Sequence, residues 1–163
     1  MKQGLALAAI FLILSACSGD STPLVSLDLL LGPEDFPGLA VTATSPELVF
    51  ATTDAQAAVQ VELTGPGFKV LESLVLFETK DQALGILAGI KQDMAALGTG
   101  AAPVDGFQDI SGINEKSNLG GDPASTLFFV EGKALVRLTV AGPEWRLRIM
   151  ELFETAKNKA SQQ

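Results

Sequence analysis

FKVLESLVLFETKDQALGILAGIKQDMAAL, residues 68–97, places a strand directly before a helix, and the spacing of its apolar residues separates the two. Val70, Leu74 and Leu76 share one face of the first segment while Leu71, Val75 and Phe77 share the other, the two-residue period of a strand. Because it is apolar on both faces, this strand belongs at the centre of a sheet. The period then changes. Thr79 to Gln82 has the Thr-x-x-Gln spacing of a capping box, and Ala83, Leu87, Ile90, Met94 and Leu97 recur at steps of four and three up to a stop at Gly98. Gly85 and Gly89 each weaken such a helix by about 1 kcal/mol relative to Ala, which predicts a neighbouring element packed close against them. Lys80, Asp81, Lys91, Gln92 and Asp93 exclude a helix buried in lipid.

Upstream, AAVQVELTG (57–65) alternates Val59, Val61 and Leu63 against Gln60, Glu62 and Thr64, a half-buried strand. Before it, Gly32 to Gly38 is turn chemistry, either a plain turn or one helical turn, leading into a short strand over Leu39 to Ala43. Downstream, Ala124 to Val130 and Ala134 to Val140 are apolar runs joined by Glu131-Gly132-Lys133, a β-hairpin with its glycine where φ must be positive. Asn118 to Pro123 contains a Gly-Gly-Asp-Pro turn between strands, and Gly98 to Gly106 is a loop. Gly142-Pro143 opens a last helix with Trp145, Ile149, Leu152, Phe153, Ala156 and Ala160 on one face, where Trp145 fits core packing.

Strands, helix, strands, helix is the order of an α+β fold: a single domain whose antiparallel β-sheet carries two main helices packed on one face. In that arrangement Val59, Val61, Leu63, Leu74, Leu76, Val136, Leu138 and Val140 meet the helices, and Leu71, Val75, Phe77, Leu127, Phe129 and Leu135 look the other way. Either the N-terminal segment Leu24 to Phe50 covers this second face, or a ligand or partner does. Arg137, flanked by apolar neighbours, is assigned to the same face, where it either reaches water at the edge or supplies a polar contact to a ligand. The candidate binding residues are therefore Leu71, Val75, Phe77, Phe129, Leu135 and Arg137.

The N-terminus carries a different signal. Leu5 to Leu14 is an uninterrupted apolar run behind Lys2, and it meets Ser15, Ser18, Gly19 and Asp20 well short of the roughly 20 apolar residues that cross a bilayer. Leu14-Ser15-Ala16-Cys17 resembles the bacterial lipobox, and Cys17 is the only cysteine. With no second cysteine to pair with in an exported chain, lipidation is the fate this context predicts. The resemblance implies that residues 1–16 are removed, that Cys17 bears two or three acyl chains such as palmitate, and that 17–23 tether a domain spanning 24–161. At about 0.8 kcal/mol per buried CH₂, several chains hold where one would not. The implied location is the cell envelope, on the outside of the cytoplasmic membrane or on the outer membrane, the latter favoured by Ser18 if the cell has two.

The block from GFKVLESLVLFETKDQA through DPASTLFFVEGKALVRLTVAGPE to the final helix resembles the small lipoproteins and receptor-kinase sensor domains of the bacterial envelope built on a PsbP-like sheet and helix pair. The resemblance rests on the order of elements and implies a non-enzymatic module that binds a ligand or partner. It carries over no catalytic or binding position.

Composition narrows the chemistry. Removing Lys2 from eleven Lys and Arg leaves ten against nineteen Asp and Glu, a formal charge of −9, and no base occurs between Ser18 and Phe68. Such a surface does not suit nucleic acid or an anionic lipid surface. The chain has no His and no Tyr, which removes the usual general base, most zinc ligands and Ser-His-Asp or Cys-His arrangements. No catalytic residue, metal site or cofactor is therefore assigned. Carboxylates remain: Glu34 beside Asp35, and Asp105 four residues before Asp109 near Asn114, which leave an envelope hydrolase using paired carboxylates, or a weak calcium site, as the alternative. The leading expectation is a monomeric, membrane-anchored envelope lipoprotein that binds an envelope protein or apolar ligand.

Overall fold

The strand that is apolar on both faces lies in the middle of a six-stranded sheet. The computed structural model describes residues 25–45, 55–99 and 109–162. Along the chain, β1 (Thr42–Thr44), β2 (Ala57–Gly65) and β3 (Phe68–Leu76) are followed by α1 (Lys80–Ala96), then β4 (Asn114–Leu119), β5 (Asp122–Glu131), β6 (Ala134–Ala141) and α2 (Ile149–Ala160). The sheet order is β1-β2-β3-β6-β5-β4, with every neighbouring pair antiparallel. Two three-stranded meanders thus join through β3 and β6, the two strands most continuously apolar in sequence. The fold is α+β, in one domain.

The local signals act where expected. Thr79 Oγ1 accepts the Gln82 N–H at 3.3 Å and Gln82 Oε1 accepts the Thr79 N–H at 3.0 Å, completing the capping box. Gly132 turns the β5–β6 hairpin at φ 54°. Ile149, Leu152, Phe153, Ala156 and Ala160 are buried along α2, and Trp145 packs in an aromatic cluster, 4.2 Å from Phe68 and 5.7 Å from Phe36 between ring centroids. The stripe of α1 is shorter than its spacing predicts: Ala83, Leu87 and Met94 are buried, whereas Leu97 is 73 % exposed. Gly85 and Gly89 lie on the outward side of α1 with open space around them, so among the described residues no neighbouring element packs close there, contrary to expectation.

The helices do not share a face. Ala83 and Leu87 of α1 pack with Val75, Phe77, Val130 and Leu135, while Leu152, Phe153 and Ala156 of α2 pack with Leu74, Leu127, Phe129, Val136 and Leu138. Side chains at 74 and 75, or at 135 and 136, point to opposite sides of a strand, so α1 and α2 cover opposite faces. The physical reason is that the central strands are apolar on both sides and each side needs a cover. The crossing from β3 to the far edge strand β4 carries α1 over one side, and the chain leaving β6 folds α2 back over the other. The N-terminal segment joins α2: Val25, Leu30, Leu31 and Phe36 are buried in the same cluster as Phe153, on the face it was not expected to cover.

A buried acid fastens that segment. Glu72 projects from β3 into the α2-side core, fully buried, and its Oε2 accepts the Leu31 N–H at 2.6 Å. Its Oε1 has no hydrogen-bond partner among the described residues. Burial pushes the Glu72 carboxyl up to about 8, against the smaller opposing pull of the Leu31 N–H and the Lys159 charge. At the segment's other end, Lys159 of α2 donates to Asp35 Oδ2 at 2.6 Å and Glu34 Oε1 at 2.7 Å. Burial alone would lower the Lys159 ammonium, but the bonds to Asp35 and Glu34 outweigh it and hold it above its ordinary value.

Candidate functional site

Pairing in the sheet decides what each predicted binding residue can touch. Val75, Phe77 and Leu135 lie beneath α1, each no more than 2 % exposed. Phe129 is on the other side of the sheet, edge-on to Phe153 with 5.0 Å between ring centroids. The six residues therefore do not form one open surface. Phe129 stands opposite Val136 and Leu127 opposite Leu138, and directly opposed residues share a face. The two-residue turn Gly132-Lys133 pairs Glu131 with Ala134 and so fixes this phase, a signal already present in the sequence.

Leu71 and Arg137 stay on the α1 side of the sheet, toward the end that the β2–β3 turn closes. Leu71 is half-buried against Leu119, Ala124 and Ala141. Arg137 is half-buried too, and its Nε donates to Thr139 Oγ1 at 3.3 Å. Thr139 Oγ1 lies 2.9 Å from Thr126 Oγ1, and Ser73 donates to Gln60 Oε1 at 2.7 Å, so this stretch of the face is a row of buried polar pairs. Among the described residues the Arg137 guanidinium has no carboxylate partner, and burial lowers it from its ordinary value.

The same side of the sheet ends in a groove of about 630 Å³, within the ~300–1,000 Å³ usual for small-molecule sites. Three connections build it: the β2–β3 turn at Gly65 and Gly67, the start of β5 at Asp122 and Pro123, and the exit from β6 at Ala141, Gly142 and Pro143. Gly142 sits at φ 114°, and a Cβ there would collide with the Gly67 carbonyl oxygen, so a glycine is what lets these two connections meet. Thr64, Phe68, Lys69 and Arg146 complete the lining. Arg146 follows Trp145 in a single 3₁₀ turn, Trp145–Arg148, and the Trp145–Phe68 contact pins that turn to the sheet. Lys69 Nζ is 3.8 Å from Asp122 Oδ2, a loose and exposed pair worth little. Arg146 has no ion-pair partner among the described residues.

None of the groove residues is among the binding residues expected from sequence. Its signals, Gly-Pro-Gly at 65–67, Gly-Gly-Asp-Pro at 120–123 and Gly-Pro at 142–143, read locally as three separate turns. Their meeting depends on β3 and β6 being neighbours.

The carboxylate pairs fare differently. Glu34 and Asp35 both hold Lys159, which lowers the Glu34 carboxyl, and so they grip a cation instead of sharing a proton. Asp105 and Cys17 lie outside the described residues. Asp109 meets β5 through its carbonyl, which accepts the Val130 N–H at 2.7 Å. Among the described residues no group of three or more His, Cys, Asp or Glu side chains could hold a metal ion, and no helix is long and apolar enough to cross a membrane.

No protein-family model matches this sequence, and no curated protein matches it either. The fold, however, is similar to the crystal structure of the extracellular domain of PknH from Mycobacterium tuberculosis, with a TM-score of 0.63 and 14 % identity over 86 % of this chain and 98 % of that one. At that identity the likeness is one of fold: this sheet, with its two helices, is an architecture found in a bacterial extracellular domain.

Proposed function

We propose that this chain is a lipid-anchored lipoprotein of the bacterial cell envelope and that its domain is a non-enzymatic binding module, with the groove at the end of the sheet as its binding site. The groove carries the reading: a concave surface with an apolar and glycine lining and two cationic side chains, in which Asp122, the only carboxylate among the described residues, is already beside Lys69. That lining offers contacts for a ligand and, among the described residues, has no second carboxylate to pair with Asp122. The fold likeness to an extracellular domain and the lipobox at Leu14 to Cys17 support the location.

Two measurements test this. Cys17→Ser should yield a protein without acyl mass that is unprocessed or released from membranes, read by intact-mass analysis and fractionation; wild-type protein cut elsewhere and free of acyl mass would overturn the anchor. Thr64→Trp places bulk at the exposed lip of the groove. A compound or protein that co-purifies with the wild-type chain from its own envelope should be lost from this variant, and equal recovery would move the binding site elsewhere.

A further inference from the structure

The charges in the groove are at odds with the rest of the molecule. The chain carries nineteen acids and eleven bases, yet of the three charged side chains that line the groove among the described residues, two are cations. Lys69 is the first base after Lys2, and every charged residue between them is an acid. Arg146 has no anionic partner among the described residues, and Lys69 has only the 3.8 Å contact to an Asp122 side chain that is 63 % exposed. An incoming anion can displace that contact at small cost. Beside these cations lie the exposed Pro123 and Pro143 and the glycines of two turns, with the buried Ala141 and Phe68 beneath them, and no further charge among the described residues.

Building on the groove as the binding site, we infer that its ligand is a small anionic amphiphile: one phosphate or carboxylate headgroup held by Arg146 and Lys69, with a short apolar body against Pro123 and Pro143, over the buried Ala141. The planar guanidinium suits either headgroup bidentately, and Lys69 adds a point charge. The acidic remainder of the surface repels anions that the groove does not take up, which sharpens selection for this one place.

The intact chain in detergent micelles, followed by methyl NMR at Ala141 and Thr64, tests this with four probes: hexyl phosphate, heptanoate, hexan-1-ol and inorganic phosphate. Hexyl phosphate or heptanoate should shift both methyls saturably, and the tighter of the two names the headgroup. Hexan-1-ol and inorganic phosphate, each lacking one half, should need at least about tenfold more, as should the anionic probe on Arg146→Ala. Arg146→Lys should recover part of the loss, and Thr64→Trp should abolish the Ala141 shift. Hexan-1-ol binding as tightly as hexyl phosphate, or Arg146→Ala without effect while Thr64→Trp still blocks, would overturn the anionic headgroup and leave the groove standing. An Ala141 shift indifferent to Thr64→Trp, or no saturable shift with any probe, overturns the groove itself.

Discussion

Glu72→Gln should remove most of the pH dependence of this domain's stability between pH 5 and 8. The Glu72 carboxyl is fully buried, has one oxygen bonded to the Leu31 N–H and the other unpaired, and keeps its proton up to about pH 8 against an ordinary value of 4.5. Below pH 4.5 it is protonated in both the folded and unfolded chain and contributes no slope. Between 4.5 and 8 the unfolded chain releases the proton while the folded one keeps it, so stability falls as pH rises; above 8 both are ionised and the slope ends. At about 1.4 kcal/mol per unit, the fall is on the order of 5 kcal/mol across the window. The charged groups that act on Glu72 are Lys159 and Asp35. Lys159 is held above 10.5 and Glu34, on the same lysine, below 4.5, so neither of these titrates inside the window. Gln keeps the acceptor for Leu31 and cannot ionise, though its amide N–H₂ enters the unpaired position at a cost of about 1–3 kcal/mol. Urea titrations from pH 5 to 9 should therefore give curves that cross, with wild type more stable at pH 5 and Glu72→Gln more stable at pH 9. Parallel curves, or a wild type whose stability is flat from 5 to 8, would refute the buried-acid argument.

Gly85→Ala and Gly89→Ala should each stabilise the domain by about 0.5–1 kcal/mol, because both positions are exposed in mid-helix with open space for a methyl group; calorimetry would show the rise in Tm. Gly142→Ala should cost more than about 1 kcal/mol, since its φ of 114° and the nearby Gly67 carbonyl both reject a Cβ, and a variant as stable as wild type would mean the two connections can separate. Arg137→Ala should change stability by less than about 1 kcal/mol, as its guanidinium is half-buried with one long bond to Thr139 and no carboxylate partner among the described residues. Its effect on hexyl phosphate binding, if Arg137 contributes from its place inward of the groove, should be smaller than that of Arg146→Ala.

The sequence by itself determined most of the elements, though the short strand expected over Leu39 to Ala43 is Thr42–Thr44 and the helix expected from Pro143 begins, after a 3₁₀ turn, at Ile149. Capping at Thr79, the turn at Gly132 and the alternation in Ala57–Gly65 are local physics: a side chain reaching its own backbone, a glycine at positive φ, and a period of two. Strand β4, Asn114–Leu119, is implied only by the turn that follows it and shows no apolar alternation of its own, because its polar residues lie on an edge where one side meets water. The α+β class followed from element order, and the buried face of α2 followed from its apolar stripe. Tertiary structure decided which faces those elements cover. A strand apolar on both sides says that it needs two covers without saying which helix supplies each, and only the crossing from β3 to β4 put α1 opposite α2. The groove belongs to the same category. Lys69, Asp122 and Arg146 are separated by 53 and 24 positions in the chain and are brought together because β3 pairs with β6 and β6 with β5. Pairing between distant strands is set by the burial of the whole sheet, a sum over both faces that no local stretch contains.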